Sequence, residues 1–276
     1  MKANYHTHLN LCGHATGMSE DYVRVAIEEG FEVLGMSDHG PIKPEFMTKE
    51  EFEYNWLERQ MTFEEFLDIY LPDCQNSKEK YKDKIKIYTG VEIEYLPNFH
   101  NYYEKLRKKL DYMNLGVHFY YHNGVMINSF EDVNYTNLCS YAENAKMAME
   151  TGLFNILVHP DVYMYVYKSI DGTNTFDEEC EKTARIIIES AIKNNVYLEI
   201  NVGGLFKVSR NNEVVGQYAY PRDEFWKIVS EYKEAKVIIG VDAHAPEELR
   251  TKEIEWAYNF ARKHNIKLKE FVETIG

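Results

Sequence analysis

The sequence predicts an α/β fold built on parallel strands, for two reasons. Seven short runs rich in β-branched and aromatic residues are spread along the 276 residues, bounded by turn-forming residues. Stretches with helical periodicity separate most of these runs, and alternating strands and helices are typical of parallel sheets. No Gly-x-Gly-x-x-Gly motif follows the first run, so a dinucleotide-binding sheet would lack its phosphate loop. Units of this length form either an open doubly wound sheet or a closed barrel.

The predicted strands are short and mostly apolar. They cover residues 3–8, 33–38, 85–95, 112–121, 155–159, 196–201 and 236–242. The predicted helices fill the segments between them. Ser19 can cap a helix that stops at Gly30, and Thr62 with Glu65 forms a capping box that opens another. Further helices are predicted over residues 102–110, 135–151, 177–194, 221–235 and 246–264.

The domain organisation follows from the absence of breaks in this pattern. The sequence has no Gly/Ser-rich linker, no low-complexity tract and no internal repeat. We therefore predict a single domain over residues 1–276 with a long connection at about 40–84. Long loops in α/β folds usually lie over the active-site face.

Composition and charge limit the partners. The 31 Lys and Arg residues and 45 Asp and Glu residues give a net charge of −14. Such a surface repels a phosphate backbone, so we expect no nucleic-acid partner. A small phosphorylated substrate requires a local cluster of cations, such as metal ions. No apolar run is long enough to cross a membrane, and the first residues contain no apolar leader segment.

The four cysteines indicate the compartment. They are scattered along the chain, and none forms a Cys-x-x-Cys pair. A thiolate zinc site or redox motif is therefore not expected. A chain of this length needs no disulfides, so we expect reduced thiols and a cytoplasmic location. The sequence leaves the oligomeric state open.

Metal-ligating residue types recur at the carboxyl ends of the predicted strands, where parallel α/β folds place their chemistry. They are His6, His8, His14, His39, Glu92, His118, His159, Asp242 and His244. A lone buried histidine is more often structural than functional. Burying this many ionisable groups at one rim without a partner would cost several kcal/mol each. Imidazole and carboxylate are ligands for Zn, Fe, Mn and Co, so the pattern predicts a metal site.

The number of candidate ligands predicts more than one ion. Zinc usually takes about four ligands, one of which is water in catalytic sites. Nine protein ligands therefore imply two or three divalent transition-metal ions, with a carboxylate bridging at least two of them.

These nine residues, in this order, resemble the ligand pattern of the polymerase and histidinol phosphatase (PHP) family of metallohydrolases. The segments 90–95, 198–201 and 240–244 resemble that family's third-, sixth- and seventh-strand motifs, most closely those of its histidinol-phosphate phosphatases. The resemblance covers nearly the whole chain. It implies a distorted (β/α)7 barrel of the TIM type, with a trinuclear metal site at the carboxyl ends of the strands.

The resemblance also implies roles for single residues. One metal would bind His6, His8, Glu92 and Asp242. A second would share Glu92 and bind His118 and His159, and a third would bind His14, His39 and His244. Asp38 and Asn201 would orient these ligands. Glu92, His244 and Asp161 would be catalytic, since Asp161 or a metal-free histidine could protonate the leaving group.

The activity that this resemblance implies is metal-dependent hydrolysis of a phosphomonoester, with L-histidinol phosphate as the expected substrate. Relatives often carry arginines after the fifth- and sixth-strand motifs, and these are missing here. We therefore expect Lys207 or Arg210 to contact the substrate phosphate. The predicted loop that carries both begins just after the sixth strand.

Three alternatives remain open from the sequence. A PHP phosphoesterase could act on a nucleotide or a phosphodiester instead. A non-catalytic PHP module would be expected to have lost ligands, whereas this set is intact. A metal-dependent amidohydrolase also opens with His-x-His, but it would carry a bridging lysine in mid-chain where this sequence has Glu92.

Overall fold

Ten short strands position the site. The computed structural model describes residues 1–46, 48–49, 51, 60–206 and 220–275. The strands in these residues are β1 (Ala3–Asn4), β2 (Val33–Met36), β3 (Lys86–Thr89), β4 (Glu92–Ile93), β5 (Asn114–Leu115), β6 (Phe119–His122), β7 (Val125–Asn128), β8 (Ile156–Leu157), β9 (Tyr197–Asn201) and β10 (Val237–Gly240).

Eight of these strands form two parallel sheets. The first has the order β1-β2-β3 and the second the order β10-β9-β8-β5-β4, with every neighbouring pair parallel. Two isolated parallel bridges, Thr7–Ala243 and His39–Glu92, connect the sheets just beyond or at the strand ends. The predicted α/β fold with parallel strands is therefore confirmed. The eight strands form two sheets that these bridges join, and both bridges include or adjoin predicted ligands.

The helices lie between the strands, as the periodicity predicts. They are α1 (Ser19–Glu28), α2 (Leu71–Tyr81), α3 (His100–Arg107), α4 (Leu138–Glu150), α5 (Glu178–Lys193), α6 (Asp223–Val229) and α7 (Glu253–Lys263). A helical turn (Phe63–Glu65) and a π-helical segment (Phe66–Tyr70) lead directly into α2. The predicted capping box is present, because Thr62 accepts from the Glu65 amide and Glu65 accepts from the Thr62 amide. Among the described residues, no helix is both long and apolar enough to cross a membrane.

Ser19 has a different role from the one predicted. It is the first residue of α1, and Met18 occupies the N-cap position. Its hydroxyl donates to the Asp73 carbonyl at 3.1 Å and lies 2.7 Å from the Ser77 hydroxyl. Both partners belong to α2. The serine therefore joins two packed helices, while Gly30, at φ 75°, follows the end of α1 as expected.

The single strand predicted over residues 112–121 is wrong. The chain forms β5, leaves the sheet, and then forms an antiparallel hairpin from β6 and β7. Asn123 and Gly124 make the two-residue turn with φ values of 51° and 81°. Asn-Gly between strands is a strong hairpin signal because both positions of a type I′ turn require positive φ. The sequence therefore contained the signal that locates this hairpin.

Buried tyrosines fix the main chain next to the predicted ligands. The Tyr70 hydroxyl donates to the Gly90 carbonyl at 2.6 Å, two residues before Glu92. The Tyr141 hydroxyl donates to the Pro160 carbonyl at 3.1 Å, one residue after His159. A buried phenol usually finds such a partner. These core side chains thus hold the strand ends that carry the candidate site.

Candidate metal centre

The structure brings all nine predicted ligands together at the carboxyl ends of the parallel strands. Eight of them line a cavity of about 390 Å³, and His6 lies fully buried behind it. The remaining lining residues are Cys12, Gly13, Gln60, Glu94, Phe119, Asn128, Phe130 and Tyr220. The hairpin of β6 and β7 supplies Phe119 and Asn128, so the element missed from the sequence forms one wall of the site.

Four donor atoms form the first ligand group. The Nε2 atom of His6 lies 3.1 Å from Nε2 of His8 and 3.2 Å from Oε2 of Glu92. Oδ1 of Asp242 lies 3.3 Å from Nε2 of His6 and 3.1 Å from Nε2 of His8. Ligands at about 2.0–2.1 Å from a tetrahedral zinc ion are about 3.3 Å apart. The spacing of these donors therefore fits one divalent ion.

The second ligand group uses the other oxygen of Glu92. Its Oε1 atom lies 2.8 Å from Nε2 of His159 and 3.0 Å from Nε2 of His118. The two histidine nitrogens lie 3.3 Å from each other. Each oxygen of this one carboxylate thus faces its own pair of histidines, as a carboxylate between two ions would.

The third group differs in part from the expected set. Donor atoms of His8, His39 and His244 lie within 4.8 Å of one another. The ring of His14 is adjacent, with its centroid 4.9 Å from that of His244 and 5.3 Å from that of His39. His8 thus lies close to His39 and His244, with His14 adjacent to them, and the predicted set of His14, His39 and His244 stays a prediction.

The charges within the cluster are strongly coupled. Burial alone would lower the pKa of His6, but the carboxylates of Glu199, Asp242 and Glu92 outweigh it and raise the pKa to about 10. The same competition raises the pKa of His118 to about 10, through Glu92 and Glu94. Burial would raise the pKa of Glu92, but the nearby His118 and His6 hold it well below its usual range. Glu92 is therefore ionised, and the positive charge beside it stabilises that form.

Three other histidines of the cluster have lowered pKa values and are neutral near pH 7. Burial and the neighbouring His8 lower the pKa of His39 well below its usual range, and lower that of His244 to about 3. Burial also lowers the pKa of His159. Neutral imidazole is the form that binds metal, so these rings are ready ligands near neutral pH.

Glu199 is a functional residue that the sequence analysis missed. Its carboxylate oxygens lie 2.9 and 3.0 Å from Nδ1 of His6, and it also accepts from the His159 amide at 3.1 Å. A carboxylate behind a histidine fixes the tautomer that leaves Nε2 free for a metal. The available signal was a charged residue inside an otherwise apolar strand, two positions before Asn201.

Other side chains orient the remaining ligands. Glu94 lies 2.6 Å from Nδ1 of His118. Asn201 donates to Glu199 at 2.9 Å and to Asp242 at 3.3 Å. Asp38 accepts from the His39 amide at 2.9 Å. Asn201 therefore contacts the side chain of one candidate ligand, Asp38 contacts the backbone of another, and their orienting role stays a prediction.

Two candidate ligands have unusual backbone conformations. His159 has φ 31° and Asp242 has φ 57°. Residues other than glycine seldom adopt a positive φ. Such conformations cost of order 1–3 kcal/mol and persist where the surrounding structure holds them in place. Both residues face the cavity, so this strain marks the same place as the donor atoms.

One other predicted site residue, Asp161, is described, and it lies apart from the cavity. Its Oδ2 accepts from the Arg222 amide at 2.6 Å. Burial raises its pKa to about 7. This contact ties the end of β8 to the segment that contains Tyr220, whose ring packs 5.8 Å from that of His159. Lys207 and Arg210 lie outside the described residues.

The donor chemistry fits divalent metal ions. The cluster consists of imidazole nitrogens and carboxylate oxygens at about 3 Å spacing, almost all of them buried. Among the described residues that line the cavity there is no lysine or arginine to neutralise the carboxylates. Divalent cations supply that charge and prefer these donors.

Two curated proteins are similar to the chain over most of its length. A protein of Deinococcus radiodurans named "Probable histidinol-phosphatase" is 23% identical over 251 residues, which are 88% of this chain and 86% of the relative. A protein of Schizosaccharomyces pombe with the same name is 24% identical over 265 residues, or 90% of this chain and 82% of the relative.

Solved structures share the fold, and a family model identifies it. The HisK structure from Listeria monocytogenes is 21% identical with a TM-score of 0.73, covering 92% of this chain and all of the other. Histidinol phosphate phosphatase from Lactococcus lactis, complexed with zinc, L-histidinol and phosphate, is 16% identical with a TM-score of 0.68, covering 97% of this chain and 95% of the other. A model described as PHP domain matches residues 4–203, and the chain therefore belongs to the PHP family.

Proposed function

We propose that this protein is a metal-dependent phosphomonoesterase that hydrolyses L-histidinol phosphate to L-histidinol and phosphate. The observation that carries the proposal is the placement of Glu92, whose two oxygens face two separate histidine pairs at the floor of a cavity. The names of the two relatives that match over most of their length, and the ligands of the Lactococcus lactis enzyme, support this substrate.

The site would hold two or three divalent ions of Zn, Fe, Mn or Co. His6, His8, Glu92 and Asp242 would hold one, and Glu92 with His118 and His159 a second. A third would lie among His39, His244 and either His8 or His14. Such ions, when bound, lower the pKa of water and neutralise the charge of a phosphoryl group.

The protein's own side chains hold this arrangement in place. Glu199 and Glu94 accept hydrogen bonds from the Nδ1–H groups of His6 and His118. The Nε2 atoms of these rings are thereby left free to bind a metal. His244 lines the cavity with 28% of its side chain exposed, and is the predicted catalytic histidine best placed to reach a leaving group. Asp161 would act by anchoring the segment at Arg222.

Phosphate recognition would combine the ions with the segment that carries Lys207 and Arg210. The described cavity wall has no lysine or arginine, so the ions would supply most of the positive charge. Lys207 and Arg210 stay proposed phosphate contacts. Lys207 comes three residues after Gly204, and the Gly204 amide donates to Asn201 at the site.

We further propose that the two sheets form a distorted seven-stranded barrel. The bridge between Thr7 and Ala243 would join β1 to β10, and the bridge between His39 and Glu92 would join β2 to β4. With β3 and β4 taken as one interrupted strand, seven strands would surround the core. The fold shared with the HisK structures supports this arrangement.

The test is phosphate release by the metal-reconstituted protein across a substrate panel. The panel contains L-histidinol phosphate, other phosphomonoesters including nucleotides, and a phosphodiester. We expect L-histidinol phosphate to give the highest kcat/KM and chelation to abolish the reaction. Preference for another phosphoester would reject the substrate but keep the reaction class. No release from any phosphoester would reject both.

A further inference from the structure

A buried thiol that lines the same cavity lies beside His8, and none of the ligand groups described above includes it. Cys12 is 1% exposed and ends a short 3₁₀ helix (Asn10–Cys12) that follows β1. Its Sγ, a ring nitrogen of His8 and a carboxylate oxygen of Asp38 all lie within 4.8 Å of one another. The thiol donates to the Leu9 carbonyl at 3.2 Å. All three donor side chains are buried.

Two polar atoms at this place have no hydrogen-bond partner among the described residues. They are Nδ1 of His8 and Oδ2 of Asp38, in side chains that are 1% and 0% exposed. Leaving a buried polar atom unpaired costs about 1–3 kcal/mol. Unpaired buried atoms in a native protein call for an explanation, and a bound ion or water is the usual one.

The spacing favours an ion over a direct contact. Nδ1 of His8 lies 3.6 Å from Oδ1 of Asp38, which is too long for a hydrogen bond. It is close to the separation of about 3.3 Å between two ligands of one tetrahedral zinc ion. The Nε2 atom of the same ring faces Glu92 and Asp242 at 3.2 and 3.1 Å. The two nitrogens of His8 therefore face two different donor groups.

We propose that Cys12, Asp38 and Nδ1 of His8 form an additional site for a zinc-class divalent cation. Sulfur distinguishes this site from the nitrogen and oxygen donors of the main cluster, and it favours thiophilic ions over magnesium or calcium. Binding releases the thiol proton and the Nδ1 proton of His8 to solvent, because both atoms must be deprotonated to bind metal. The imidazolate ring of His8 would then join this ion to the main cluster. Because both of its nitrogens are used, the third group would consist of His14, His39 and His244.

Cobalt(II) tests the site without reference to activity. The full-length protein is stripped with a chelator and titrated with cobalt alone. A thiolate-to-cobalt charge-transfer band in the near ultraviolet reports a bond to sulfur, whereas the visible d–d bands report all protein-bound cobalt. The variants are Cys12→Ser, Asp38→Asn and, as a matched control, Cys139→Ser. Cys139 is exposed and belongs to α4, away from the cavity.

We expect the charge-transfer band in the wild type and in Cys139→Ser, and its loss in Cys12→Ser while the visible bands remain. In Asp38→Asn, the cobalt concentration that gives half of the maximal band should rise at least about tenfold. Cobalt binding without the band in the wild type, retention of the band in Cys12→Ser, or no cobalt binding at all would overturn the proposal. Phosphate release is measured on the same samples. Activity without the band rejects only the thiolate site, and the band without activity rejects only the proposed function.

Discussion

Glu199 holds the Nδ1 atom of His6 between both of its carboxylate oxygens, at 2.9 and 3.0 Å. The two residues are 193 positions apart in the chain, and both are almost completely buried. The contact leaves Nε2 of His6 as the nitrogen that faces Glu92 and Asp242. A carboxylate from the sixth predicted strand thus sets the tautomer of a ligand from the first.

Replacing Glu199 should therefore weaken metal binding. Glu199→Gln keeps the size of the side chain but removes its charge and turns one acceptor into a donor. We expect the affinity for the first ion to fall about 10–100-fold, as for other partners of ligating histidines. Competition with a chromophoric chelator measures this change. Glu178→Gln is the control, since that side chain is 83% exposed at the start of α5. Equal affinities in the two variants would contradict the assigned role.

Gly240 should matter for the same reason. A Cβ atom at this position would lie 1.6 Å from Oε1 of Glu199. Since that oxygen is held by His6, Gly240→Ala has to push the carboxylate out of place. We expect a loss of metal affinity similar to that of Glu199→Gln, and little further loss in the double variant because both act through His6. Fully additive losses would show that the two positions act independently.

The chelated protein should have a stability maximum near pH 6.5. The folded pKa values of His6 and His118 are raised to about 10, so their stabilising contribution is complete below the unfolded value of about 6.5 and is lost as the pH rises toward 10. The folded pKa values of His39 and His244 are lowered, so below pH 6.5 the unfolded chain takes up protons that the folded chain does not. Stability therefore falls in both directions.

Urea unfolding in the presence of a chelator, at a series of pH values from about 5 to 10, checks this dependence. Metal-loaded protein is the comparison. Bound ions replace the protons of the cluster. As the pH rises above about 7, the urea midpoint of the metal-loaded protein should therefore fall less than that of the chelated protein. A chelated protein whose midpoint rises between about pH 7 and 9 would contradict the charge assignment.

The cations predicted to contact the phosphate can be tested singly. We expect Lys207→Ala or Arg210→Ala, or both, to reduce kcat/KM about 10–100-fold, which corresponds to the loss of a charge-assisted contact. Metal content is measured in each variant, so that an effect on the ions is recognised. Lys193→Ala is the control, because that side chain is 71% exposed on α5. If both variants keep wild-type efficiency, this segment takes no part in phosphate binding.

Much of the site could be predicted because ligand types follow strand ends. His6 and His8 alternate with Thr7, and Asp242 and His244 alternate with Ala243, a spacing that in a strand places each pair on one face. Asp242 itself has φ 57°, yet it reaches the same cluster. Strand ends in a parallel sheet meet at one edge, which is why residues from 6 to 244 converge.

What the sequence did not reveal depends on contacts across the fold. The partner of His6 comes from β9, and only packing shows that Glu199 reaches it. The choice between His8 and His14 in the third group depends on how the rings stack, with His8 and His244 only 4.1 Å apart. The hairpin at Asn123 and Gly124 is different, because its turn signal was present in the sequence but the prediction joined residues 112–121 into one strand.

The metal content of Glu92→Ala tests the central claim most directly. The two oxygens of Glu92 face different histidine pairs, so removing the side chain takes a ligand from two ions at once. After metal-replete preparation, elemental analysis should find two or three ions per wild-type chain, and a larger loss in Glu92→Ala than in any single histidine variant of the cluster. Fewer than one ion per wild-type chain, or a Glu92→Ala protein that keeps the wild-type content, would contradict the account.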